Sequence, residues 1–295
     1  MDRTKAGAGI AAGLILLLAA CARAPTIVVG SKDFTEQVLL GEILAQQIEK
    51  RVGVRVDRKL HLGGTLLAHE ALVQGSIDLY PEYTGTALTA ILKRPPAGGR
   101  AAVLEAVRAA YRRQWRLAWL TPLGFTDTFA MMVRGETARA ARLVTISDAA
   151  RARPWRLGAG YEFRQRPDGL DGLLKTYGLR TQGDPLSMDL GLLYSALQGR
   201  QVDMIAANST DGMASVLDVA ILRDDRHYFP PYECAVVARE DTLARFPKLR
   251  PALEQLSGGL TDEAMRKLNY QVDGRHQPAA EVAAEFLRLF TVNSR

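Results

Sequence analysis

EALVQGSIDLYPEYTGT, residues 70–86, changes its hydrophobic period part-way through. Up to Gln74 the apolar positions fall at helical spacing and continue a segment that begins at Thr65. Gly75 breaks it, Ile77-Asp78-Leu79-Tyr80 reads as a short strand, and a polar loop then runs into a second helical segment over 84–92. SALQGRQVDMIAANSTDG, residues 195–212, repeats the plan: helix, glycine turn, apolar-Asp strand, polar threonine-bearing loop. With Asp78 aligned on Asp203, Tyr83 falls on Asn208, five residues later in each copy. Two such units predict an α/β fold with two lobes built alike. Ligands of α/β sheets sit beyond the carboxyl ends of the strands, so the two loops are expected to face each other.

Outward from these units the alternation continues. Thr26-Ile27-Val28-Val29-Gly30 is strand-like, and Val38, Leu39, Ile43, Leu44 and Ile48 mark a helix with Thr35 as its cap and Gly53 as its stop. Further strands are expected at 54–56, 129–133, 156–160, 202–206 and 235–238. Helices are expected at 101–115, 169–177, 190–197 and over most of 251–289. Phe229-Pro230-Pro231-Tyr232 breaks any regular element.

The chain has 295 residues, 47% of them apolar, enough for one large core or two ordinary ones. Its formal net charge of +6 is spread along the sequence without a block of like charges, so nucleic acid is not an expected partner. MDRTK followed by AGAGIAAGLILLL is a basic start and an apolar run shorter than the about 20 residues a membrane span needs. Residues 1–20 therefore read as a signal peptide. Leu18-Ala19-Ala20-Cys21 resembles a lipoprotein processing box, which makes Cys21 the expected lipidation site and holds the rest at a membrane surface. Cleavage without lipidation would instead release a soluble secreted chain. Cys234 is the one other cysteine, which leaves no intrachain disulfide in the lipidated form.

Several ordered motifs go further: Gly30-Ser31-Lys32-Asp33-Phe34-Thr35-Glu36-Gln37, Gly63-Gly64-Thr65, Tyr80-Pro81-Glu82-Tyr83-Thr84-Gly85-Thr86, Pro122-Leu123-Gly124-Phe125, Ser209-Thr210-Asp211-Gly212, Asp224-Asp225 and Phe229-Pro230-Pro231-Tyr232. Together they resemble the glycine betaine/carnitine/choline-binding family of osmoprotectant importers, over essentially the whole chain after the signal peptide. The resemblance implies the two-lobed type II fold of periplasmic binding proteins, with two crossovers and the ligand in the interlobe cleft. Lobe 1 would take 21–125 and 231–295, lobe 2 would take 126–230. It further implies an extracytoplasmic monomer that hands a small zwitterionic or cationic ligand to an ABC permease.

A quaternary ammonium has no N–H to donate, but aromatic faces attract it through their quadrupoles. By resemblance the aromatic cage positions fall at Tyr83, Phe129, Asn208 and Tyr232. Asn208 departs from the pattern because it has no ring. A desolvated cation–π contact is worth about 2 kcal/mol, so one missing wall costs on the order of 30-fold in affinity, unless the asparagine hydrogen-bonds a different ligand. Lys32, Thr86 and Arg166 are the carboxylate-binding positions by resemblance, and arginine suits a bidentate grip. Glu162, four residues before Arg166, is expected to pair with it, and Asp127 to add negative charge beside the cation. Strand alternation turns Tyr80 into its lobe, which leaves Tyr83 as the ligand ring.

An enzyme finds little support. His61, His69, His227 and His276 fit no metal-ligand spacing, and no nucleophile elbow, phosphate loop or cofactor motif appears. The remaining alternatives keep the fold: a binding protein for another zwitterion such as ergothioneine, or a sensory receptor.

Overall fold

The computed structural model describes residues 25–95 and 98–293. The expected signal peptide and Cys21 lie outside them. In chain order the strands are β1 (Thr26–Gly30), β2 (Arg55–Lys59), β3 (Leu79–Tyr83), β4 (Leu117–Trp119), β5 (Phe129–Arg134), β6 (Leu157–Gly160), β7 (Leu186–Met188), β8 (Met204–Asn208), β9 (Val219–Leu222) and β10 (Cys234–Arg239). The longer helices are α1 (Thr35–Val52), α2 (Thr65–Val73), α3 (Arg100–Trp115), α4 (Gly135–Ala141), α5 (Ile146–Ala152), α6 (Tyr161–Gln165), α7 (Leu170–Tyr177), α8 (Leu190–Gln198), α9 (Glu240–Arg245), α10 (Leu249–Glu254), α11 (Asp262–Asp273) and α12 (Ala279–Asn293).

They build two five-stranded sheets of the same design, β2-β1-β3-β10-β4 and β7-β6-β8-β5-β9. In each, three parallel strands come first and an antiparallel strand follows. That antiparallel strand enters from the other half of the chain: β10 returns to the first sheet after β9, and β5 starts the second sheet after β4. Apolar residues cover both faces of each sheet. Leu39, Leu44, Val236 and Leu253 belong to one core of the first sheet, Tyr80, Tyr111 and Val237 to the other. Trp155, Leu173 and Met204 fill one face of the second sheet, and Leu193, Leu197 and Ile205 the other.

The chain passes between lobes twice, through 120–128 and 223–233, and the two passages lie antiparallel. Thr126 bridges Glu233, and the Asp127 N–H donates to the Tyr232 carbonyl at 3.2 Å. A paired hinge of this kind allows two rigid lobes to rotate while few backbone angles change.

The repeated unit has the equivalence read from the sequence. Asp78 and Asp203 each sit one residue before a five-residue strand, and Tyr83 and Asn208 are the last residues of those strands. The strands run further than the apolar patterns: β3 continues through Pro81 to Tyr83, and β8 through Asn208. Pro81 has no N–H to give, and it is tolerated because β1 pairs with β3 only at Leu79. The cap of α1 also differs from expectation. Phe34 holds the cap position with extended backbone (φ −119°), Thr35 is the first helical residue, and its hydroxyl donates to Asp273 at 2.6 Å. Gly53 ends the helix with φ 76° as expected. After β3 the helical segment starts as one α-turn (Thr84–Thr86) and continues as a π-turn over Ala87–Ile91.

Candidate functional site

Lys32 follows β1 and is 2% exposed. Its ammonium donates to Glu82 Oε1 at 2.6 Å and to Thr65 Oγ1 at 2.9 Å, and it stands 5.1 Å from the centre of the Tyr83 ring. Tyr83, at the end of β3, turns its hydroxyl to Glu36 Oε1 at 2.6 Å. Burial, then the Glu36 carboxylate, pushes that phenol well above its ordinary value. Tyr80 goes the other way, fully buried in the lobe, and donates to Glu82 Oε2 at 3.0 Å.

Gly85 explains how the turn after Tyr83 meets the second crossover. A Cβ there would stand 2.6 Å from Tyr232 Cδ1 and 2.7 Å from the Pro231 carbonyl, so any side chain would push Tyr232 aside. The Tyr232 hydroxyl donates to Asp168 Oδ2 at 2.5 Å. Phe129, the first residue of β5, lies among the rings of Phe163 at 4.6 Å and of Phe229 and Tyr232, both at 6.0 Å.

Arg166 joins the lobes. Its Nε and Nη2 donate to both oxygens of Asp168 at 2.9 and 2.6 Å, its Nη1 to Thr86 Oγ1 and Glu162 Oε1 at 3.1 Å each, and Nη2 also to Thr89 Oγ1 at 3.4 Å. All five guanidinium donors therefore meet oxygen. The cation also lies 5.1 Å from the Phe129 ring centre and 6.0 Å from that of Tyr232. Burial of Asp168 would raise its pKa, but the Arg166 guanidinium and the Tyr232 hydroxyl bring it below the usual carboxylate range. Glu162 follows the same logic: burial raises it, and Lys32 and Arg166 outweigh the burial. From lobe 1, the Thr65 N–H reaches Glu162 Oε2 at 3.3 Å.

Asp127 lies in the first crossover, 7% exposed, and accepts from the Thr210 N–H at 3.3 Å and the Ser209 hydroxyl at 3.4 Å. Burial, then Glu36 and Asp211, pushes its pKa well up. Asp211, which accepts from the Asn208 N–H at 3.0 Å and the Tyr194 hydroxyl at 3.2 Å, is pushed up to about 7 by burial above all. Asn208 pairs directly with Phe129 across β8 and β5, so the two side chains share a face. Its carboxamide makes no hydrogen bond to the protein among the described residues.

Eight of the nine expected site residues thus lie in or beside one polar and aromatic seam by their own contacts, and Asn208 joins them through its register with Phe129. Glu82, Asp168, Thr65 and Thr89 belong to the same network and were not foreseen. Glu82 stands two residues after Tyr80 and on the same side of β3, but the apolar pattern ends at Tyr80 and gives it no signal. Asp168, two residues after Arg166, had no signal either because its other partners, Tyr232 and Thr89, are distant in sequence.

Residues 25–289 match the family model OpuAC, described as the substrate-binding domain of the ABC-type glycine betaine transport system. The chain belongs to this family. A glycine-betaine-binding protein of Pseudomonas aeruginosa is 36% identical over 92% of the chain and 90% of its own length. The carnitine transport binding protein OpuCC of Listeria monocytogenes is 32% identical over 89% and 86%. An ergothioneine transport permease/ergothioneine binding protein, EgtU, of Helicobacter pylori is 33% identical over 88% of the chain, which spans only 47% of that longer protein. Among solved structures, a glycine betaine/carnitine/choline ABC transporter protein superposes with a TM-score of 0.75 at 31% identity, covering 89% of this chain and 97% of the other. OpuAC domains are binding components of importers rather than enzymes, and they work outside the cytoplasm. Among the described residues of this OpuAC domain no helix is long and apolar enough to cross a membrane.

Proposed function

We propose that the seam between the lobes captures a betaine-type zwitterion or related methylated ammonium compound and presents it, lobes closed, to an ABC permease. The observation that carries this reading is the meeting of three aromatic rings, Tyr83, Phe129 and Tyr232, with two buried cations, Lys32 and Arg166, where the lobes touch. The rings attract the methylated nitrogen, whose positive charge is spread over its methyl groups. Lys32 and Arg166 take the carboxylate. The Asp168 fork of Arg166 is bidentate and backed by Tyr232, whereas Thr86 and Glu162 each hold one Nη1 hydrogen. A ligand carboxylate therefore enters by replacing Thr86 or Glu162, and Asp168 keeps the guanidinium in plane. Lys32 spends two of its three N–H groups on Glu82 and Thr65 and offers the third.

In this reading Asp127 stands behind the seam, where it holds the Thr210 N–H and the Ser209 hydroxyl without touching the ligand. Lobe 1 comprises 21–125 and 231–295, lobe 2 comprises 126–230, and the ligand favours the closed state by contacting both. Removal of residues 1–20 and lipidation of Cys21 hold the monomer at a membrane surface. The test is calorimetric titration of the refolded, ligand-stripped domain with glycine betaine, carnitine, choline and ergothioneine. Binding of at least one carboxylated betaine supports the reading, and no heat with any of the four sinks it.

A further inference from the structure

Three walls of the seam are rings and the fourth is an amide, and that difference points to the ligand's nitrogen. Asn208 is 7% exposed, its N–H is spent on Asp211, and its carboxamide has no protein partner although it lies beside Phe129 on the same sheet face. Neither carboxamide atom is sealed from solvent, unlike the buried unsatisfied oxygen of Asn269. An uncommitted carboxamide thus stands at the end of β8, on the sheet face that it shares with Phe129. Lobe closure over a fully methylated nitrogen would set that amide against C–H groups, stripping its water and giving nothing back. A nitrogen that keeps one hydrogen removes the conflict: its N–H donates to Asn208 Oδ1 as a charge-assisted bond, while its methyl groups face the three rings.

We propose, resting on the seam as the ligand site, that Asn208 selects methylated amines bearing one N–H, protonated tertiary amino acids, over fully quaternary ammonium compounds. The amide Nδ2 remains free to donate to water or to the ligand's carboxylate.

The experiment titrates the refolded domain at neutral pH with N,N-dimethylglycine and with glycine betaine, which differ by one methyl group in place of one hydrogen. The same pair is then run on Asn208→Leu, which has the same number of side-chain heavy atoms and the same branching, and Asn208→Tyr. The wild type is expected to bind dimethylglycine at least about tenfold tighter, the usual scale of a hydrogen bond to a charged group. Asn208→Leu is expected to lose that preference, and Asn208→Tyr to invert it. Tighter binding of glycine betaine by the wild type overturns the inference and leaves the seam as the site. A preference that survives Asn208→Leu assigns it to another residue and also overturns it. Silence with both ligands overturns the inference, and the seam itself falls only if carnitine, choline and ergothioneine are silent as well.

Discussion

Tyr83 serves two purposes that substitution can separate. Its ring faces the Lys32 ammonium, and its hydroxyl satisfies buried Glu36, which also accepts from Asn269 Nδ2 at 3.0 Å. Tyr83→Phe keeps the ring and leaves a buried carboxyl short of one partner. It is expected to lower stability by about 1–2 kcal/mol and to keep ligand affinity within a few-fold. Tyr83→Ala is expected to weaken binding by about tenfold or more. Denaturant titration beside calorimetry distinguishes the two effects, and equal affinity for both variants would remove Tyr83 from the site. Arg166 is the other decisive residue. Arg166→Lys keeps the charge but not the fork, so Asp168 and Glu162 can no longer both be held. A loss of ligand binding of at least tenfold is expected, with the fold retained by circular dichroism.

At the scale of elements, the turn after β3 must approach the Pro230-Pro231-Tyr232 crossover without a side chain between them. Gly85→Ala places a methyl group against Tyr232 and the Pro231 carbonyl. It is expected to cost about 1–3 kcal/mol of stability and to weaken binding more than an exposed glycine such as Gly178 would. The β8 end carries a titratable element as well. The folded state raises the Asp211 carboxyl to about 7, above its unfolded value, so folding takes up a proton there. The stability this contributes is complete below the unfolded pKa and is lost as pH rises through about 7. Glu36 and Asp127 are raised in the same direction by burial. Melting temperature is therefore expected to fall between mildly acidic and mildly alkaline pH, and Asp211→Asn to flatten part of that fall. A parallel pH profile for the variant would refute the assignment.

The elements also show what the sequence could and could not reveal. The parallel strands β1, β3, β6 and β8 are short apolar runs bounded by glycine or aspartate, and their centres were legible from period alone. Their ends were not. Tyr83 and Asn208 close strands whose last residues look like loop, because Pro81-Glu82 and Asn208 break the apolar run while the neighbouring antiparallel strand still holds the backbone. The short edge strands β4, β7 and β9 lack alternation and went unread. Tyr80 was read correctly as a core residue, and Arg166 with Glu162 was legible as an i, i+4 pair. The Asp168–Tyr232–Thr89 junction needs the folded crossover to exist.

At the scale of the whole molecule, two sheets of one design meet at a paired hinge, and every residue expected at the ligand site lies along or close behind the seam. Lobe 1 touches lobe 2 through Thr65 to Glu162, Thr86 and Thr89 to Arg166, and Asn269 Nδ2 to the Thr210 carbonyl at 2.9 Å. Ligand binding is accordingly expected to compact the protein in solution scattering, and Cys21→Ser to release it from the membrane fraction of the cell. The most direct measurement is a calorimetric comparison of glycine betaine with 3,3-dimethylbutanoate, which has the same shape and carboxylate but carbon in place of the charged nitrogen. If rings hold a cation, the carbon analogue binds at least about 30-fold more weakly, the factor that one desolvated cation–π contact of about 2 kcal/mol represents. Equal affinity for the two would show that the seam recognises shape and carboxylate alone and would contradict the aromatic cage.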